Sequence, residues 1–198
     1  MNSEDLLDDQ ALQFLKSRIA EGDQRAFRQL FDQYAERLSR FSVSITRHKE
    51  AALEIVDEIF VKFWKQRAAV PGIRNLRTYL YTATKNASLN YLSAQAHLQL
   101  TDPFDSINIQ LQEESPEQQL ITAELFQRIR AAVEELPPRC RMIFKLVRED
   151  NLKYKEVAGI LNLSVNTVDA QMVIAVKRIS EKVKGHFDRF PKIQLKKK

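Results

Sequence analysis

Apolar residues recur along this chain at steps of three and four almost throughout, the spacing of one face of an α-helix. Phe27, Leu30, Phe31, Tyr34, Leu38, Phe41 and Ile45 form a long stripe, and Gly22 and Asp23 mark where one helix stops and this one starts. Past a break near His48, the apolar side of a second helix carries Ala52, Ile55, Val56, Ile59, Phe60 and Phe63. Pro71 and Gly72 open a loop, and residues 75–98 read as a third long helix with Leu80, Ala83, Ala87 and Tyr91 inward. Three such helices bury enough apolar area to fold independently of the rest.

The pattern is tighter near the C-terminus. Val157, Ile160 and Leu161 have helical spacing, Asn162 suits a left-handed exit, and Ser164 suits an N-cap through its hydroxyl. Val165, Val168 and Met172 then give a second helix its buried face. Two short helices joined by a tight polar turn are a helix-turn-helix, whose second helix usually enters the DNA major groove. An αα-hairpin in an ordinary bundle shows the same periodicity. The basic C-terminal run favours DNA: Lys177, Arg178, Lys182, Lys184, Arg189, Lys192 and Lys196 to Lys198 face only Glu181 and Asp188. The last five residues read equally as a solvated tail.

Charge then divides the chain. The net charge over 198 residues is +5, yet no Lys or Arg lies between Lys85 and Arg128, where Asp102, Asp105, Glu113, Glu114 and Glu117 fall. A stretch as long as 97–117, acidic, Gln-rich and holding Pro103 and Pro116, is too long for a connection inside one compact domain. The expectation is an all-α chain of two small helical domains joined by a flexible acidic linker, the C-terminal one holding the helix-turn-helix. No apolar run approaches a membrane span, so direct membrane insertion is not expected. The acidic first ten residues do not resemble a signal peptide, which suits a cytoplasmic protein. The single cysteine, Cys140, gives no intramolecular disulfide; Arg139 and Arg141 beside it would lower its pKa, though an ordinary buried residue is the simpler reading.

Catalytic chemistry finds no support. The four glycines (22, 72, 159 and 185) are scattered and form no phosphate-binding loop, and His48, His97 and His186 lack metal-ligand spacing. Neither cofactor nor metal is expected. Two helix faces invite binding instead. Glu54, Asp57, Glu58, Lys62 and Trp64 mix acid, base and a large aromatic, the composition of a protein–protein hot spot, unless Trp64 simply closes the end of the core. Tyr79, Thr82, Asn86 and Asn90, flanked by Arg77 and Lys85, suit stacking on unpaired bases and holding phosphates, unless this is merely a polar outer face.

Separate segments resemble one family. Residues 54–64 are similar to the polymerase-clamp helix of bacterial RNA polymerase sigma factors of the extracytoplasmic-function (ECF) group. Residues 79–92 resemble its promoter-melting helix, and residues 135–144 with the hairpin through Lys177 resemble its reader of the minus-thirty-five element. The match runs over residues 20 to 185 in the family's order. It implies a region 2 domain over 1–96, the acidic linker over 97–117, a region 4 domain over 118–185 and a basic tail over 186–198. It further implies that Glu54, Asp57, Glu58, Phe60, Lys62, Phe63 and Trp64 dock on core polymerase. Asn75, Leu76, Arg77, Tyr79, Lys85, Asn86 and Asn90 would hold flipped minus-ten bases. Lys153, Tyr154, Ser164, Val165, Asn166, Thr167, Asp169, Gln171, Lys177 and Arg178 would meet the minus-thirty-five element. The linker would run toward the RNA exit channel. The implied partners are core polymerase, promoter DNA and a membrane-bound anti-sigma factor.

Four positions depart from the family pattern. Asp57 stands where Gln is usual, and Lys153 replaces a Ser or Thr cap worth about 1 kcal/mol. Val173 and Ile174 occupy places that commonly carry polar or basic groups. The competing reading is a helix-turn-helix regulator that never touches polymerase, which leaves the two N-terminal faces unexplained.

Overall fold

The computed structural model describes residues 9–96 and 120–187, and among these there are eight α-helices and no strand. The expected acidic linker and the end of the basic tail lie outside the described residues. The first half holds α1 (Asp9–Ala20), α2 (Gln24–Thr46), α3 (Lys49–Lys65) and α4 (Leu76–Ala96), with a 3₁₀ turn (Arg67–Gly72) before α4. The second half holds α5 (Leu120–Glu134), α6 (Pro138–Arg148), α7 (Tyr154–Leu161) and α8 (Val165–Phe187).

Local chemistry explains the boundaries. Gly22 sits at φ +88°, and Asp23 accepts from the N–H groups of Arg25 (2.8 Å) and Ala26 (3.2 Å) to start α2. α2 ends on Arg47 in the left-handed region, and His48 caps α3 by accepting from Ala51 N–H at 3.2 Å. The segment read as a loop at Pro71 and Gly72 is instead a 3₁₀ turn, with Pro71 inside it and Val70 buried. α2 packs along both α3 and α4, so the stripes of α2 and α3 are buried as the spacing requires, except Phe27 and Phe31, which are half-buried.

On α4 the buried arc is wider than its apolar residues suggested. Leu80 is buried as expected, but Ala83, Ala87 and Tyr91 are only half-buried, while Tyr81, Thr84, Lys85 and Ser88 are buried. The helix is packed on three sides: α4 meets α2, against which Tyr81 and Ser88 lie, α3, and α7 of the other half. Polar groups tolerate this burial through short bonds. Thr84 donates to Leu80 O at 2.9 Å, and Ser88 meets Ser42 at 2.8 Å. One apolar cluster therefore runs from Leu30 and Phe60 to Ile143, Val157 and Met172, across both halves.

In the second half, Arg141 is buried and turns to Glu134, donating to its carbonyl at 2.5 Å and its carboxylate at 2.9 Å, while Lys145 reaches the same carboxylate at 2.7 Å. This clamps α5 to α6. Cys140 is buried beside Val133, Leu136 and Ala175. Burial pushes its thiol pKa up against the pull of Arg178, so the lowering expected from the neighbouring arginines is corrected.

Candidate nucleic-acid and polymerase interfaces

On α3 the outer surface carries Glu54, Asp57, Glu58 and Lys62, all exposed, with Lys62 paired to Glu58 at 3.2 Å. Leu53 and Val61 stand in line with Asp57 at successive turns and are 46% and 51% exposed. The sequence reading missed both, although each falls out of phase with the buried stripe. Phe60 and Phe63 are buried in the core against Phe27 and Phe31, so they are corrected from contact residues to groups that orient the helix. Trp64 takes the capping role left open for it. Its ring packs on Phe27 at 4.9 Å, and the Arg67 guanidinium lies 5.0 Å over it.

Ahead of α4, Ile73, Arg74 and Asn75 join Thr78, Tyr79, Thr82, Ala83 and Asn86 around an open cleft of about 540 Å³. It gathers Asn75, Tyr79 and Asn86 as the sequence expected; Arg74 and Thr78 are additions. Lys16 fixes the rim. It is buried on α1 and donates to Gln13 Oε1 at 2.8 Å and to Ile73 O at 2.5 Å. Its position in the apolar phase between Leu15 and Ile19 was the available signal. Asn75 accepts from Thr78 N–H at 2.8 Å, which starts α4 and aims Tyr79 along the cleft wall. Tyr79 is 37% exposed and stacks obliquely on Phe63 at 6.2 Å. Asn90 is exposed further along the helix, whereas Leu76, Arg77 and Lys85 are buried away from the cleft. Burial lowers the pKa of Lys85.

The burial of Arg77 has a cause in the other half. Glu156, on α7, accepts from Asn75 Nδ2 at 2.9 Å and lies 3.9 Å from Arg77. The same carboxylate accepts from Lys153 N–H at 2.8 Å. Glu156 thus supplies from inside the helix the acceptor for the Lys153 N–H, the carboxylate half of a capping box, which partly offsets the side-chain cap lost at Lys153. Arg37 of α2 completes the junction, donating to Glu149 O at 3.1 Å and lying 3.8 Å from Asp150.

The hairpin itself has the anticipated turn. α7 ends on Asn162 at φ 54°, Ser164 accepts from Thr167 N–H at 3.0 Å, and the chain bends by 109° between α7 and α8. Val168, Met172 and Ala175 are buried, but Val165 is 44% exposed, because it occupies the first helical position beside the core rather than over it. Ser164, Asn166, Asp169, Lys177 and Arg178 are exposed, and Thr167 and Gln171 half-buried. Lys153 is exposed and Tyr154 half-buried at the start of α7. No single helix among the described residues is long and apolar enough to cross a membrane.

Comparison with known proteins agrees with this arrangement. Residues 30–97 match the family "Sigma-70 region 2", and residues 126–179 match "Sigma-70, region 4". The ECF RNA polymerase sigma-E factor of Escherichia coli (strain K12) is 30% identical over 181 residues, covering 86% of this chain and 93% of that protein. The sigma-E factor of Haemophilus influenzae is 24% identical over 179 residues, covering 86% and 94%. In fold, the chain is similar to CnrH, solved in complex with the cytosolic domain of CnrY (TM-score 0.56, 20% identity, 88% of this chain and 98% of that one). It is likewise similar to the sigma factor RpoE of Bartonella quintana, solved with the anti-sigma factor NepR (TM-score 0.55, 19% identity, 80% and 96%). With region 2 and region 4 matched in order, and a sigma-E factor related over most of its length, the chain belongs to the ECF RNA polymerase sigma factors.

Proposed function

We propose a division of labour along this sigma factor. Residues 1–96 act as region 2, 97–117 as the acidic linker, 118–185 as region 4 and 186–198 as a basic tail. The outer surface of α3, with Leu53, Glu54, Asp57, Glu58, Val61 and Lys62, docks on core polymerase. The cleft before α4 receives a flipped minus-ten base, with Tyr79 as the stacking platform and Asn75 and Asn86 as its polar contacts. α8 enters the major groove of the minus-thirty-five element, while Lys153, Lys177 and Arg178 hold phosphates. Strand opening draws on binding free energy alone; sigma factors as a class are not enzymes.

The observation that carries this reading is the cleft, in which an aromatic ring, two side-chain amides and Arg74 line a single concavity. In the closed arrangement Asn75 is held by Glu156, so region 4 moves off α4 before the cleft takes DNA. A partner of the anti-sigma kind, as NepR is for RpoE of Bartonella quintana, would hold that closed form. Such a partner is expected to be membrane-anchored. It is sought by pull-down with the cytosolic part of a membrane protein encoded beside this chain.

The test of the main reading is reconstitution with core polymerase. Tyr79→Ala and Asn86→Ala should leave core binding intact and reduce opening, read by a fluorescent base analogue placed in the minus-ten element. Equal opening by both variants and wild type would remove the cleft from the mechanism.

A further inference from the structure

The groove-facing side of α8 has an unusual composition. Val168, Met172 and Ala175 define its buried side. Opposite them, at helical spacing, stand Asn166, Ala170, Val173 and Lys177, all exposed, with Ile174 beside Val173. Val173 is 62% exposed and Ile174 39%. Leaving three branched aliphatic side chains, these two and Val176 (44% exposed) on their flank, in water at the middle of a DNA-reading helix has no structural return, since none packs on the core.

Chemistry identifies what meets them. The commonest base-specific contact, Arg or Lys to guanine, is absent from α8 until Lys177. Asn166 matches adenine, and an aliphatic side chain has one partner on a base edge in the major groove, the thymine 5-methyl group. Ala170 is small, so the helix axis approaches closely and Val173 reaches the floor of the groove. Val173 lies eight residues past Val165, or about 12 Å along the axis, still within the groove when the helix enters by its N-terminus. Cations follow the patch on α8, where Lys177, Arg178, Lys184 and Lys182 (paired with Glu135) are exposed, and Asp169 is the acidic neighbour one turn before Val173. Aliphatic side chains followed along the helix by a run of positive charge suit a duplex, whose phosphates the cations meet beyond the bases.

We infer that Val173 and Ile174 read thymine methyl groups, so that this factor's minus-thirty-five element carries thymines at its centre rather than guanines. The inference rests on the reading of α8 as the minus-thirty-five helix.

The experiment separates the two. Holoenzyme reconstituted from core polymerase and the full chain selects from duplexes randomised across the minus-thirty-five window. The preferred site is then synthesised with deoxyuridine in place of each thymine in turn, removing the methyl and nothing else. Binding should fall about fourfold for each methyl that is read, the worth of one buried carbon. Val173→Ala or Ile174→Ala should weaken the thymine site by a similar factor while leaving the matching uracil site unchanged. Both positions are on the surface, so melting curves should match wild type. A preferred site whose thymines all tolerate uracil, or variants that bind it as wild type does, would overturn methyl readout and return the patch to a protein partner. A library yielding no preferred sequence in that window would remove the assignment of α8 itself, and the inference with it.

Discussion

Asn75 donates to Glu156 at 2.9 Å, so the residue that starts α4 in one half is held by the residue that caps α7 in the other. The bond couples the cleft before α4 to the helix-turn-helix, since neither the Asn75 amide nor the Glu156 carboxylate can turn to another partner while it lasts. Glu156→Ala should release both. The closed packing should lose about 1–3 kcal/mol, and small-angle scattering should report a larger radius of gyration. Glu156→Gln has one acceptor oxygen where the carboxylate has two, so it keeps Lys153 N–H but gives up the bond from Asn75 and the ion pair to Arg77, and it should fall between the alanine variant and wild type. An alanine variant as compact as the parent would show that the apolar cluster alone closes the molecule.

Trp64 and Asp57 lie within two turns of each other yet should behave oppositely. Trp64 packs on Phe27 and under Arg67, so Trp64→Ala should lower stability by about 2–3 kcal/mol and weaken polymerase binding only through loss of fold. Asp57 is exposed between Leu53 and Val61, so Asp57→Ala should melt within about 0.5 kcal/mol of wild type while core binding drops. Urea titration beside a core-binding assay distinguishes them. A Trp64→Ala variant with unchanged stability and lost binding would restore the hot-spot reading.

Much of this architecture was legible because local rules and packing agree. The stripes of α2 and α3, the cap at Asp23, the left-handed exit at Asn162 and the cap at Ser164 each arise from residues a few positions apart. What escaped the sequence depends on contacts far apart in the chain. Arg77 and Lys85 read as surface cations but are buried, and Arg77 lies against Glu156 of α7, about eighty residues later. Phe60 and Phe63 were assigned to docking by likeness of motif, although their phase already placed them on the core side with Val56 and Ile59. The cleft is the intermediate case. Its helical residues share one visible face, but Arg74 and Ile73 enter only once Lys16 has drawn the preceding loop into place.

The turn of the hairpin offers a direct check on its local chemistry. Asn162 holds φ 54°, where glycine is at ease and a β-carbon without a polar group is strained. Asn162→Gly should be nearly neutral, whereas Asn162→Ala should cost about 1 kcal/mol. Ser164→Ala, which removes the acceptor for Thr167 N–H, should cost about 1 kcal/mol as well. Because the two residues lie in one turn, the double variant reports on their coupling. Thermal melts that rank glycine below alanine at 162 would contradict the left-handed cap.

The junction should also respond to pH through Asp150. Burial, with a smaller push from the Glu149 carboxylate, raises its pKa from 3.8 to about 6, against the opposing pull of the Tyr81 hydroxyl of α4 and of Arg40 and Arg37 on α2. A carboxyl group raised in the packed state binds its proton more tightly there than in solvent, so protonation favours closure. Its contribution is complete below about pH 4 and is lost as pH climbs through about 6, worth up to about 3 kcal/mol across that window. Wild type should therefore lose stability between pH 4 and 7 relative to Asp150→Asn, whose amide is neutral throughout and fills nearly the same space. Urea midpoints of the two proteins at a series of pH values make the comparison, because other carboxylates titrate alike in both. The curves should differ in slope only inside that window. Parallel curves would mean that Asp150 titrates as a solvated carboxyl, and that Arg37 and Arg40 hold it charged in the closed state.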